Sequence, residues 1–190
     1  PRDLRIVTPA GWFDLELDPV LRKTRHKRLI RRRLGREPEL QRLRDEVAAE
    51  LEAVAARADA QGAVFASMYS DVIEGKSVAA TLFAFIRAAR MEGDDVQGTL
   101  VRSAEALRSD SETGEVSVID LPAGPALRHR RRVETRAFDR TVECDNVSYV
   151  LPVAGRDRTL FLEFSTPTIP VSDAMAQLFD AMATTLRWVW

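Results

Sequence analysis

An antiparallel sheet sandwiched by helices, an α+β fold with a helical pair at its N-terminal end, is what this sequence predicts. Two stripes of apolar residues at helical spacing, in 38–61 and 172–186, each give a helix one face to bury. Alternation of apolar and polar residues in the last third gives strands that bury one side. Helices stand between runs of strands and do not follow each strand in turn, an order that favours a layered antiparallel sheet over a parallel one. The 190 residues are 45% hydrophobic and 30% charged, enough for one domain with a sizeable core. The simplest organisation is a single α+β domain over 1–190, with the helical pair in 19–61 and the sheet plus C-terminal helix in 63–190.

Phe13, Leu15 and Leu17 alternate with polar residues and predict the first strand, after the Pro9-Ala10-Gly11 break. Asp18-Pro19 is a helix start, since Asp can cap free amides and Pro fits the first helical position. A basic helix is expected over 19–34, stopped by Gly35. In 38–61, Leu40, Leu43, Val47, Leu51, Val54 and Ala58 form one stripe, and Gly62 terminates it. Val64–Val72 and Val78–Ile86 read as a hairpin turning at Glu74-Gly75-Lys76. Asp94 or Asp95 is expected to cap a short helix carrying Val96, Leu100, Ala104 and Leu107. Four strands follow, at 115–121, 126–133, 147–153 and 159–165, with turns at Pro122–Pro125 and Gly155–Arg158. A last helix is expected to start at Ser172 and carry Met175, Leu178, Phe179, Met182 and Leu186, with Trp188 and Trp190 closing the chain.

Charge is distributed unevenly. Residues 22–36 hold nine Lys/Arg and no acid, and 37–59 hold seven acids, while the whole chain has formal net charge -1. The basic block is therefore a local device. No apolar run approaches the roughly 18 residues that span a bilayer, and no apolar leader stands at the first residues. Cys144 is the lone cysteine, so no internal disulfide can form. These features set a cytoplasmic, reducing location as the expectation. The excess of Arg over Lys and the many Ala residues fit a high-GC bacterial genome.

Three segments together resemble a known family. They are the opening Pro9-Ala10-Gly11-Trp12, the corner Leu121-Pro122-Ala123-Gly124-Pro125-Ala126, and Leu160–Pro167 leading to an amphipathic helix that finishes in Leu186-Arg187-Trp188. Over 63–188 the chain resembles the PsbP-like superfamily, and within it the LpqN type and an actinobacterial group of proteins. The resemblance implies an antiparallel sheet between helices and a role in binding, not catalysis, with no shared catalytic residues to carry over. A link to a secretion or export system is a further expectation of the same resemblance. The basic-acidic pair at 19–61 departs from that pattern.

The expected function is a non-enzymatic protein-interaction or assembly module whose partner is another protein, a second copy of the chain included. The partner-binding residues are expected to be Arg25, Arg28, Arg31 and Arg32 of the basic helix, Arg128 and Arg130 of the strand cluster Arg128–Arg132, and the terminal Trp188 and Trp190. Trp is singled out because it dominates interface energetics. Each has a structural counter-reading. The helix arginines can pair with the acids of 38–61, the strand arginines can be a charged face that discourages sheet-to-sheet association, and the tryptophans can close a core.

Two further functions stand as alternatives. One is a small-ligand-binding protein or hydrolase built on Tyr69, Asp71 and Glu74; it requires a deep pocket where these groups meet. The other is anionic-polymer binding through the basic helix. A pI near 6.3 and the lack of aromatics among the basic residues disfavour nucleic acid. The lack of a strong apolar face disfavours a membrane surface. Ser67 and Ser70 have no flanking glycine elbow, as a serine nucleophile requires. His26 and His129, the only histidines, each lie inside a basic cluster, and no metal-ligand spacing surrounds them. No catalytic residue, metal ligand or cofactor is assigned.

Overall fold

The first and last described strands pair with each other. In the computed structural model, which describes residues 3–88, 96–109, 114–137, 140–153 and 155–189, strand β1 (Asp3–Arg5) pairs antiparallel with the last strand, β9 (Arg187–Val189). Between them lies an antiparallel sheet of seven strands: β2 (Trp12–Asp14), β3 (Ala63–Ile73), β4 (Lys76–Arg87), β5 (Glu115–Leu121), β6 (Gly124–Ala137), β7 (Arg140–Pro152) and β8 (Thr159–Thr166). Its spatial order is β2-β3-β4-β8-β7-β6-β5. The chain leaves β4, crosses to the far edge, and meanders back until β8 fills the place beside β4.

Helices cover both faces of the sheet. On one face Leu82 and Ala84 of β4, Leu162 and Phe164 of β8, and Tyr149 of β7 meet helix α4 (Ser172–Ala183) through Met175, Phe179 and Met182. On the other face Phe13, Ala66, Met68 and Phe83 meet the helical pair, α1 (Arg22–Leu34) and α2 (Gln41–Ala60). Helix α3 (Val96–Arg108) covers the far end of that second face, with Leu100 and Ala104 against Val116 and Leu127.

The β3–β4 hairpin turns on Glu74 (φ 50°) and Gly75 (φ 75°), two consecutive left-handed residues. That two-residue form matches the strand twist and suits Gly. The break between α1 and α2 is equally local: Gly35 ends α1 at φ 77°, and Pro38 opens a 3-10 turn, Pro38–Leu40.

Several boundaries differ from the sequence expectation, each for a physical reason. Helix α1 starts at Arg22, three residues later than expected; Asp18 instead closes the preceding turn by accepting from the Val20 amide at 2.8 Å. Ser172 is the first residue of α4 and not its cap. Helix α4 ends at Ala183, so Trp188 lies on strand β9 and not on the helix. In α2 the buried line runs through Arg44, Leu51, Ala55 and Ala58, while Leu43 stays 44% exposed. Arg44 is inward because its guanidinium donates to the carbonyls of Gly35 and Glu37 and so satisfies the inter-helix turn. Strand β6 continues past Val133 to Ala137, and β7 begins at Arg140, well before Val147. Charged residues hid both extensions, Glu134 and Arg136 in the first and Arg140, Glu143 and Asp145 in the second. The expected cap at Asp94 or Asp95 lies outside the described residues.

Candidate interaction surface

Helix α1 is held by its inward side. His26 and Ile30 are buried. Arg22 donates to Glu52 at 2.7 Å and approaches Asp59 at 3.7 Å, both on α2. Arg33 lies with its guanidinium 4.4 Å from the centre of the Phe13 ring and donates to the Gly11 carbonyl at 2.6 Å and to that of Ser70 at 3.4 Å. These anchors are needed because the first turn of α1 has no acid to complement its dipole, whereas Arg31, Arg32 and Arg33 in the last turn do complement it.

The outward side is different. Thr24, Lys27, Arg28, Arg31, Arg32 and Arg36 fence an open concavity of about 670 Å³. Lys23, Lys27, Arg28, Arg31, Arg32 and Arg36 are all exposed, and among the described residues none has an ion pair. Arg25, with 65% of its side chain exposed, pairs with Glu16 at 2.9 Å. The charge seam read from the sequence is thus closed at Arg22 and left open over the rest of the helix. Of the exposed acids of α2, Glu46 takes Arg42 one turn away on its own helix, and Asp45 accepts from Gln41 while lining clefts shared with Lys27 and Arg31, with no ion pair to either.

The second basic cluster serves the fold. Alternation puts Arg128 and Arg130 on one face, and that face, expected to be exposed or to meet a partner, lies beneath α4. There Arg128 donates to both Asp180 oxygens, at 2.7 and 3.1 Å, and the Tyr149 hydroxyl donates to the same carboxylate. Arg130 joins the buried Asp145, at 2.7 Å, to Asp173 of α4, at 2.6 Å. Burial opposes the charge of Arg128, but its bond to Asp180 outweighs this and its pKa is raised. Bonds to Asp145 and Asp173 raise that of Arg130. These guanidiniums clamp α4 to the sheet. Arg132 approaches Glu143 across the ribbon at 3.8 Å.

Asp180→Ala would leave Arg128 and the Tyr149 hydroxyl short of their acceptor. We expect a loss of about 2–3 kcal/mol in denaturant unfolding, toward the lower end of what breaking a buried pair costs because Asp180 is partly exposed. Burial and Asp180 also push the Tyr149 hydroxyl far above its ordinary value of 10.0. Tyrosine in the unfolded chain ionises first, so this contribution is present below about pH 10 and lost as pH rises above it. Tyr149→Phe should flatten the alkaline limb of a stability-versus-pH curve, and an unchanged limb would show that another group sets it.

Trp188 is half-buried against the main core and donates its indole N–H to the Ala123 carbonyl at 2.8 Å. That bond explains why the corner 121–126 and the end of the chain come together. Trp190 lies outside the described residues. Tyr69 packs on Trp12, with ring centres 6.1 Å apart. Asp71 accepts from the Val72 amide, and Glu74 sits in the turn. Asp71 and Glu74 are exposed on the projecting hairpin, and no hydrogen bond joins either to Tyr69. His26 and His129 lie on different elements, α1 and β6, and no group of three or more described His, Cys, Asp or Glu residues is placed to hold a metal. Cys144 is buried and unpaired, and no described helix is long and apolar enough to cross a membrane.

Residues that sequence reasoning passed over are Asp145, Asp173 and Asp180. Their signal was present: three acids on elements flanking a strand with three arginines on one face. No protein-family model and no curated protein matches the chain.

Proposed function

We propose that this protein is a non-enzymatic interaction module that docks an acidic protein surface on the outward face of helix α1. One observation carries the reading: five Lys/Arg side chains of α1, and Arg36 just past its end, stand exposed and without ion pairs among the described residues, while the inward side of the helix is tied down by Arg22, Arg33 and Ile30. Holding like charges together has a cost in self-repulsion, and no acid among the described residues offsets it with an ion pair to any of the six. Arg25, Arg28, Arg31 and Arg32 form the docking set. Arg128 and Arg130 are satisfied by acids within the chain and Trp188 by Ala123, so they support the scaffold in this reading. A PsbP-like origin, with a binding role in a bacterial cytoplasm or at an export system, belongs to the same proposal and is supported by the sheet between helices.

The test is retention of native proteins by the immobilised chain at two salt concentrations. Binding governed by charge should weaken at the higher one, because screening shortens from roughly 10 Å at 0.1 M toward 3 Å at 1 M. Retention that ignores salt would count against α1 as the docking element. Retention of polyanions with no protein retained would favour the anionic-polymer alternative.

A further inference from the structure

We infer that protonation of His26 releases helix α1 from α2, so that presentation of the basic face is controlled by pH; this rests on the function proposed above and supplies its regulation. His26 is only 2% exposed, and neither ring nitrogen has a hydrogen-bond partner. A buried polar group left unpaired is uncommon and costs stability. Its nearest acid is Glu52 of α2, whose Oε2 lies 3.8 Å from Nδ1, is buried, and is also unpaired. The other oxygen of Glu52 is held by Arg22. The charged groups facing the ring are Arg22 of α1, Glu52 of α2 and Glu16 after β2, with Asp14 and Arg25 at the same concavity. Asp14, Glu16, Arg25 and Leu29 share with His26 a small concavity of about 130 Å³.

A neutral imidazole fits this place as a flat, mostly apolar filler. A protonated one does not. Its Nδ1–H could reach the unpaired Oε2 of Glu52, but Nε2–H would still have no acceptor. Burial lowers the pKa of His26 below its ordinary 6.5, and Glu52 offsets only part of that. In the unfolded or released helix the ring ionises at its ordinary value. The stability it allows is thus present above about pH 6.5 and declines as pH falls below it. Relief requires α1 to move so that water reaches Nε2. The same movement loosens the platform that fixes Arg28, Arg31 and Arg32.

The experiment is amide hydrogen exchange on the whole chain without any partner, at about pH 7.5 and about pH 5, corrected for the intrinsic pH dependence of exchange. Amides of 24–33 should open several-fold more easily at the acid pH, relative to those of α3 and α4. His26→Phe should abolish the difference. Imidazole titration by NMR gives a second measurement that needs no variant at 26; only two histidines exist, and His129→Gln identifies the other. One resonance should titrate clearly below pH 6.5. The inference is overturned if α1 opens no more readily in acid, if His26→Phe keeps the acid response, or if both histidines titrate at or above the ordinary value. Because no partner is present, a failure of docking and a failure of release are read separately.

Discussion

Phe179→Ala should be the most damaging single truncation considered for this protein, costing about 3–5 kcal/mol in denaturant unfolding. Phe179 is 1% exposed and joins three layers of contact. Its ring stacks on Phe164 of β8 with centres 4.8 Å apart, and meets Trp12 of β2 edge-on at 6.5 Å. Phe164 meets Tyr149 edge-on at 5.9 Å, so one aromatic row runs from the edge strand to the buried clamp of α4. Such pairs add about 0.5–1.5 kcal/mol beyond the area they bury. The cavity cannot collapse easily, because rings on two strands and a helix fixed by Arg128 and Arg130 surround it. Leu43→Ala is the matched comparison: the same class of change on a residue 44% exposed should cost less than about 1 kcal/mol. Comparable losses for the two would show that α4 is not the principal lid of the core.

Local chemistry made most of this architecture legible. The Glu74-Gly75 turn, the stop at Gly35, the stripe Met175–Phe179–Met182 and the alternation of Val147, Tyr149 and Leu151 each fix an element by its own spacing, and each stands where it was expected. What could not be read there depends on distant partners. Leu43 was assigned inward because it fits a stripe, yet the helix rotates to let Arg44 satisfy the Gly35 and Glu37 carbonyls. Trp188 was assigned to a helix because the stripe runs to Leu186; the pairing of Arg187–Val189 with Asp3–Arg5, 182 or more residues away in sequence, decides otherwise. The site divides the same way. Exposure of α1 follows from its shortage of apolar residues and was foreseeable. Neutralisation of Arg128 and Arg130 needed the register that sets them under Asp173 and Asp180.

Reversing Arg28, Arg31 and Arg32 to Glu should lower affinity for the acidic partner by about 100-fold or more, because like charges brought face to face cost several kcal/mol and each 1.4 kcal/mol is tenfold. The fold should survive. All three side chains are exposed and without ion pairs among the described residues, and the anchors Arg22, Arg33, His26 and Ile30 are untouched. New acids in the last turn oppose the helix dipole, while the helix loses self-repulsion, so the net change should stay within about 1 kcal/mol. A neutral triple variant, Arg28, Arg31 and Arg32 to Gln, separates two physical terms. It removes attraction without adding repulsion, so affinities should rank wild type, then Gln, then Glu. Rising salt should weaken the wild type most, the Gln form less because Lys23, Lys27 and Arg36 remain, and the Glu form least, since screening removes its added repulsion as readily as attraction. The association rate should carry much of the difference, as expected when charge steers encounter. If the Glu form unfolds, these arginines hold the helix in place and the open face is structural. If it folds and binds as the wild type does at low salt, the partner sits elsewhere on the molecule and α1 is not the docking element.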